Sequence, residues 1–111
     1  MIDRLTPASR VTVARLVAAL DSERPPVVLD VRNAGERDAG AIDGALHIPL
    51  AELPRRIAEV PTDRPVVVHC AGGYRSSVAA SLLRVDGHPD GSDLLGGYQA
   101  WRAAHLPTAV G

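Results

Sequence analysis

Residues 66–77 read Val66-Val67-Val68-His69-Cys70-Ala71-Gly72-Gly73-Tyr74-Arg75-Ser76-Ser77. The short apolar run that opens this stretch is typical of a strand covered on both faces. A glycine turn follows it, and apolar residues then recur at helical spacing between residues 76 and 84. The stretch therefore predicts a strand, a turn and a helix in succession, which is the repeating unit of α/β proteins.

Strands and helices alternate along the rest of the chain as well. Pro25 and Pro26 precede a second short apolar run, Val27–Asp30, which predicts another covered strand. Further strands are predicted at 45–48 and 93–95, and helices at 13–20, 36–39, 50–59 and 98–104. This alternation predicts an α/β fold with a parallel sheet and helices on both of its faces.

The size and charge of the chain limit the classes of protein to be considered. The 111 residues predict one domain over 1–111, with the polar residues 1–10 as a loose N-terminal arm. A net charge of −1 gives no reason to expect nucleic acid or an anionic membrane as a partner. No apolar run approaches the roughly 20 residues of a membrane span, and the first residues lack the apolar segment of a signal peptide. We therefore expect a cytoplasmic protein.

Cys70 is the only cysteine, so neither an intrachain disulfide nor a multi-cysteine metal site is available to it. It lies where a strand meets a glycine turn and a helix, facing backbone N–H groups and the positive end of the helix. Both features stabilise a thiolate, so its pKa is expected below the free value of about 8.5. Cys70 is therefore predicted to be a nucleophile. The alternative is a small buried apolar residue.

The turn itself is predicted to hold an anion. Glycine allows the close approach and unusual backbone angles that let successive N–H groups converge on one point. The residues expected to bind substrate in this way are Ala71, Gly72, Gly73, Tyr74 and Ser76. Arg75 adds a fixed positive charge and a planar fork of donors, suited to an oxyanion such as a sulfonate. An arginine that is simply solvated at the start of a helix is the alternative.

Two charged residues near the end of the strand Val27–Asp30 are predicted to support the site. Asp30 should share the crevice with Cys70, because both lie at the carboxyl ends of parallel strands. Its carboxylate is expected to accept hydrogen bonds from the active loop. Arg32 and Glu36 are four residues apart and are expected to pair with each other.

The other polar and aromatic residues are predicted to lie outside the reacting centre. His69 adjoins Cys70 on a strand, so its ring should point to the opposite face and is not expected to act as a base. The histidines have no metal-ligand spacing, and neither a metal nor a cofactor is expected. Tyr74 is placed at the entrance to the site and Trp101 in the core.

Three ordered blocks of the sequence carry a resemblance to a known family. They are Leu29-Asp30-Val31-Arg32 with Glu36, residues 40–45 and Ile48-Pro49; the loop from Cys70 to Arg75; and residues 96–101 with Leu106-Pro107. They resemble, in this order, the first signature, the active-site loop and the closing signature of the rhodanese family of sulfurtransferases. His105 departs from the pattern at a position where glycine is common.

The resemblance implies a three-layer α/β/α domain with a central, mostly parallel sheet of about five strands. It also implies that Cys70 takes a sulfane sulfur from a donor, holds it as a persulfide and passes it to an acceptor. The donor would be a small anion such as thiosulfate or a glutathione or protein persulfide, and the acceptor a thiol or a cyanide-like nucleophile. A protein partner is plausible, because one cysteine has no internal resolving thiol.

Three alternatives accompany this hypothesis. The first is a regulatory or docking module of a larger sulfur-metabolism protein that keeps the fold without turnover. The second concerns context: the loop also resembles rhodanese domains joined to metallo-β-lactamase-fold persulfide dioxygenases, so a parent domain of that kind would be a partner. The third is a phosphatase or arsenate reductase. It is disfavoured because four residues separate Cys70 from Arg75, where phosphatase-like relatives have five.

Overall fold

The computed structural model describes residues 9–72, 74–88 and 91–109. The strands are β1 (Ser9–Val11), β2 (Val27–Asp30), β3 (Ala41–Ile42), β4 (Leu46–His47), β5 (Val66–His69), β6 (Gly91–Leu94) and β7 (Thr108–Ala109). The helices are α1 (Val13–Leu20), α2 (Ala34–Asp38), α3 (Leu53–Arg56), α4 (Tyr74–Val85) and α5 (Gly97–Ala103). Short 3-10 turns, Leu50–Glu52 and Ile57–Glu59, flank α3. None of these helices is long and apolar enough to cross a lipid bilayer.

Five of the described strands form the central sheet, in the order β1-β6-β5-β2-β4. All neighbouring pairs in this sheet are parallel. The register places Asp30 opposite His69, so the carboxyl ends of β2 and β5 lie side by side. The predicted parallel α/β fold is therefore confirmed, and the loops that follow these two strands share one edge of the sheet.

The alternation of side chains along β5 divides the core into two clusters. Val66 and Val68 face one side of the sheet, where Leu53 of α3 and Leu83 of α4 cover them. Val67 faces the other side, where the covering residues come from α1 and α5, chiefly Leu16 and Trp101. Every residue of β5 is buried, as the unbroken apolar run predicted.

The predicted bounds agree best where an apolar run is strong. α1, β2 and β5 begin and end as predicted. The helix expected from Ser76 begins two residues earlier, at Tyr74, which places Ser76 inside its first turn. The predicted loose arm is wrong at its last two residues, since Ser9 and Arg10 pair with β6 as an edge strand. Residues 1–8 lie outside the description.

Two features near the first signature were not predicted from the periodicity of the sequence. α2 begins at Ala34 rather than at residue 36, because Asn33 and Glu36 form a reciprocal capping box. β3 pairs antiparallel with β7, joining two segments that are distant in sequence into a second, two-stranded sheet. Both of its strands have two residues, too few for an alternating pattern to be read.

His105 adopts a φ of +57°, the left-handed region that favours glycine. We expect His105→Gly to raise the free energy of unfolding by about 1 kcal/mol, because the strain on a side chain in this region exceeds the entropy that glycine adds to the unfolded chain. Urea denaturation measures the change. Ala104→Gly is the matched control, since Ala104 has a φ of −84° and should lose stability. Equal losses in the two variants would contradict the expectation.

Candidate active site

Cys70 directly follows β5 and begins the loop that leads into α4. Its residue is 1% exposed and packs in the same cluster as Val66 and Val68. The sulfur therefore lies beneath the loop, with α4 on its side of the sheet. Gly73 lies outside the described residues, so the convergence of loop amides on the sulfur stays a prediction.

A chain of polar contacts runs from the sulfur into the interior. The Cys70 Sγ lies 3.6 Å from the Ser76 Oγ, in the first turn of α4. The Ser76 hydroxyl in turn donates a hydrogen bond to the Asp93 Oδ1. Asp93 is buried near the carboxyl end of β6, so the contact joins α4 to the neighbouring strand behind the thiol.

The start of α5 holds the start of the loop. The Tyr98 amide donates to the Cys70 carbonyl at 2.8 Å, and the Gln99 amide donates to the Ala71 carbonyl at 3.2 Å. Gly97 lies so close that an added Cβ would stand 2.4 Å from the Cys70 carbonyl oxygen. The closing signature therefore fixes the backbone from which the nucleophile projects.

Arg75 forms a bidentate ion pair with Glu36, at 2.7 and 2.8 Å between its Nη atoms and the two carboxylate oxygens. The hydrogen bond from Arg75 lowers the pKa of Glu36 to about 2. The predicted pairing of Arg32 with the Glu36 side chain is wrong, because Arg32 reaches only the backbone carbonyl of Glu36, at 3.4 Å. The capped start of α2 thus orients the Arg75 guanidinium in the first turn of α4.

Arg32 is buried, and its guanidinium forms hydrogen bonds with other residues of the first signature. Its Nε and Nη2 donate to the Asp30 carboxylate, the latter at 2.8 Å, and Nη2 also donates to the Gly40 carbonyl at 2.8 Å. The guanidinium carbon lies 4.3 Å from the centre of the Tyr98 ring. Since Tyr98 also donates its amide to Cys70, Arg32 supports the loop through the ring beneath it.

Asp30 does not hold the loop in the manner predicted. Its buried carboxylate accepts from the Arg32 backbone amide at 2.9 Å as well as from the guanidinium. Burial acts to raise the pKa of Asp30, but the hydrogen bonds and the charge of Arg32 lower it by more, so the pKa lies below its ordinary value of 3.8. Asp30 is therefore the counter-ion of Arg32, and its described bonds go to Arg32 rather than to residues 70–72.

His69 lies on the opposite side of the sheet from the Cys70 side chain. Its ring centre is 6.3 Å from that of Tyr98, and its Nε2 is 3.8 Å from the Asp30 carboxylate. Burial lowers its pKa, which favours the neutral ring at physiological pH. This placement agrees with the predicted orientation of His69 away from the thiol.

Two cavities touch the loop and the first turn of α4. One, of about 230 Å³, is lined by Arg10, Gly72, Tyr74 and Asp93 among others. The other, of about 340 Å³, is apolar and includes Arg75 in its wall. Tyr74 is 80% exposed, consistent with its predicted place at an entrance. The two cavities therefore flank the loop, and neither is lined by Cys70.

Sequence reasoning missed two charged residues of this region. Asp93 is a carboxylate in a buried strand, the same signal that singled out Asp30. Arg10 lies in the segment predicted as a loose arm, and its Nε is 3.7 Å from the Asp93 Oδ2. Only the pairing of β1 with β6 brings Arg10 close to Asp93, so no local sequence pattern indicates this contact.

The remaining polar candidates have structural partners. The Nε2 atoms of His47 and His88 lie within hydrogen-bond distance of the carbonyls of Arg32 and Val60, at 2.8 and 3.0 Å. Trp101 is a core residue, as predicted, and its indole donates to the Pro107 carbonyl at 2.8 Å. Among the described residues, no group of three or more His, Cys, Asp or Glu side chains is arranged to hold a metal ion.

Comparisons with known proteins agree with the fold. The rhodanese-like domain family model matches residues 12–104. A sulfurtransferase from Allochromatium vinosum is 37% identical over 81 residues, covering 73% of this chain and 76% of that protein. Thiosulfate sulfurtransferase GlpE of Pseudoalteromonas translucida is 32% identical over 95 residues, covering 86% and 90%. The crystal structure of a rhodanese-related protein from Thermoplasma volcanium matches with a TM-score of 0.82 at 29% identity, covering 93% of this chain and 99% of that one.

Proposed function

This chain belongs to the family of rhodanese-like domains, and from that premise we propose that it is a sulfurtransferase in which Cys70 carries the sulfur as a persulfide. The observation that carries the proposal is the position of Cys70 between β5 and α4, with its sulfur against Ser76 and its carbonyl held by α5. The sulfurtransferases among its relatives support the same reaction class.

With thiosulfate as donor, the Cys70 thiolate attacks the outer sulfur. A sulfur–sulfur bond forms to Cys70, the bond to the sulfonate sulfur breaks, and sulfite leaves with the electron pair. The new persulfide carries a single negative charge on its outer sulfur, and sulfite leaves as a dianion. A nucleophile such as cyanide then attacks that outer sulfur, thiocyanate leaves, and the Cys70 thiolate is restored.

The loop and Arg75 are proposed to receive the anionic donor. Glu36 holds the Arg75 guanidinium in one orientation through two short hydrogen bonds, while 33% of the Arg75 side chain stays exposed. A fixed cation beside the reacting sulfur favours a donor that carries negative charge. The backbone of Ala71, Gly72, Gly73, Tyr74 and Ser76 is proposed to hold the charge that develops on the outer sulfur.

Intact-protein mass spectrometry tests the proposal. We expect the protein to gain the mass of one sulfur atom on incubation with thiosulfate, and to yield thiocyanate when cyanide follows. Glutathione persulfide and a protein persulfide are the alternative donors. Cys70→Ser should neither gain sulfur nor form product, because an alcohol at neutral pH is a much weaker nucleophile than a thiolate. A wild-type protein that takes sulfur from none of these donors would contradict the proposal.

A docking or regulatory module is the second candidate, and the burial of Cys70 is the observation that favours it. A residue that is 1% exposed must become accessible before a donor can reach its sulfur. If the wild-type protein takes up no sulfur although iodoacetamide alkylates Cys70, this second function is supported. The proposed association with a metallo-β-lactamase-fold domain stays a prediction.

A further inference from the structure

Asp93 places a buried carboxylate behind the thiol. Cys70, Ser76 and Asp93 are 1%, 0% and 2% exposed, and they come from the loop after β5, from α4 and from β6. Ser76 is the link between them, with its Oγ 3.6 Å from the Cys70 Sγ and hydrogen-bonded to the Asp93 Oδ1. Burying a carboxylate costs free energy unless hydrogen bonds or opposite charge offset it, and here the Ser76 hydroxyl, which also contacts the nucleophile, supplies such a hydrogen bond.

The hydroxyl between the two acidic groups carries a single proton. A carboxylate only accepts hydrogen bonds, so Ser76 donates its proton to Asp93 and turns a lone pair toward Cys70. That arrangement suits a protonated thiol, which donates to the Ser76 oxygen. When Cys70 is a thiolate, Ser76 can donate to the sulfur only if Asp93 is protonated and donates to Ser76. The thiol and the carboxylate therefore compete for one proton.

We propose that Asp93 is a positioning residue that controls the protonation of Cys70 through the Ser76 hydroxyl. In the transfer step, the thiol proton passes to the Ser76 Oγ while the proton of Ser76 passes to the Asp93 Oδ1. The products are a Cys70 thiolate, an intact serine and a neutral Asp93 carboxyl. The catalytic consequence of this proposal rests on the proposed sulfur transfer. The competition of Cys70 and Asp93 for one proton does not depend on any sulfur donor.

Other charges near the thiol are fixed in pairs. Arg75 interacts electrostatically with Cys70 and is already paired with Glu36. Arg32 neutralises Asp30 on the far side of the sheet, where the buried His69 ring is favoured in its neutral form. Arg10 lies 3.7 Å from Asp93, but its side chain is 61% exposed, so solvent screens it. Asp93 is thus the charged group joined to Cys70 by the described hydrogen-bond path.

The pH dependence of Cys70 alkylation by iodoacetamide tests the proposal. We expect Asp93→Asn to lower the midpoint pH by about 1 to 2 units, because it removes a like charge and leaves the Ser76 proton free to bond the thiolate. In a Ser76→Ala background the same substitution should shift the midpoint by less than half as much. Ser81→Ala is the matched control, since the Ser81 hydroxyl donates to the Ser77 carbonyl on the exposed face of α4.

Two outcomes would overturn the proposal. One is an unchanged or higher midpoint in Asp93→Asn, and the other is an equal shift in the presence and absence of the Ser76 hydroxyl. Because alkylation needs no sulfur donor, these outcomes are independent of whether the protein transfers sulfur. A failure of the sulfurtransferase function would appear as absent thiocyanate with an intact alkylation difference.

A measurement on the unaltered site keeps the proposal testable if Asp93→Asn does not fold. In carbon-13 NMR of protein labelled at aspartate, the chemical shift of the Asp93 carboxyl carbon should change in two steps as the pH rises. The second step should fall at the pH where Cys70 ionises. In Cys70→Ala this second step should vanish. Its absence from the wild-type titration would contradict the shared proton.

Discussion

Replacing Gly97 with alanine is expected to lower the free energy of unfolding by about 3 kcal/mol and to remove most sulfur transfer. Gly97 has a φ of +59°, and an added Cβ would stand 2.4 Å from the Cys70 carbonyl oxygen and 2.7 Å from that of Ala71. These are backbone atoms and cannot turn away as a flexible side chain would. Relief of the contact must move either α5 or the loop, and with the loop the sulfur of Cys70.

The matched control separates backbone strain from the contact. Gly44 has a φ of +82° and nothing within 4 Å of an added Cβ, so Gly44→Ala measures the cost of the left-handed conformation alone. It should lose about 1 kcal/mol and keep its transfer rate. Urea unfolding and thiocyanate formation, measured on both variants, give the comparison. If Gly97→Ala behaves like Gly44→Ala in both assays, the loop is not held by α5 in the way described.

Arg32→Met is expected to destabilise the protein by about 3 to 5 kcal/mol at neutral pH, because it leaves the buried Asp30 carboxylate without its partner. Arg56→Met is the control for loss of an arginine ion pair. Arg56 pairs with Glu52 and Glu59 at the surface, where water replaces the lost contacts, and its effect should be much smaller.

The loss should also depend on pH in a defined direction. Arg32 helps to hold the pKa of Asp30 below 3.8, so its contribution is present above that pH and fades as the pH falls through the lowered pKa. In Arg32→Met, burial raises the pKa of Asp30 without that opposition, and the carboxyl takes up a proton more readily. The stability difference between wild type and variant should therefore shrink on acidification. A difference that grows toward low pH would contradict this account.

A double variant completes the test. Asp30→Asn combined with Arg32→Met removes both charges, and we expect it to recover part of the stability that Arg32→Met loses. Thermal unfolding of the four proteins gives the coupling energy between the two side chains. A double variant less stable than Arg32→Met would show that Asp30 contributes through partners other than Arg32.

The parts of the fold that the sequence predicts are those with a local cause. The apolar runs of β2 and β5 indicate covered strands, and the spacing in α1 indicates one buried face. The position of Cys70 follows from the same run. Pairings between distant residues were not predicted: Glu36 meets Arg75 rather than Arg32 because α2 and α4 lie together at one edge of the sheet.

Asp93 differs from these cases, because its signal was present in the sequence. Asp93, like Asp30, is a carboxylate in a predicted strand, and a carboxylate that is buried in a strand needs a partner. Its contact with Ser76 depends on the exact start of α4, which the periodicity placed two residues late. Helix ends are set by capping and packing, so the geometry between a loop and a neighbouring strand follows only from the folded chain.

The place of β6 between β1 and β5 has a consequence for the newly made chain. Of the described strands, β1 is translated first, and its neighbour in the sheet, β6, follows only after β2 to β5. A nascent chain that ends before residue 91 contains Cys70 without the strand that carries Asp93 and without α5. We therefore expect the Cys70 thiol to become reactive only late in translation, once β6 and α5 have packed beside it.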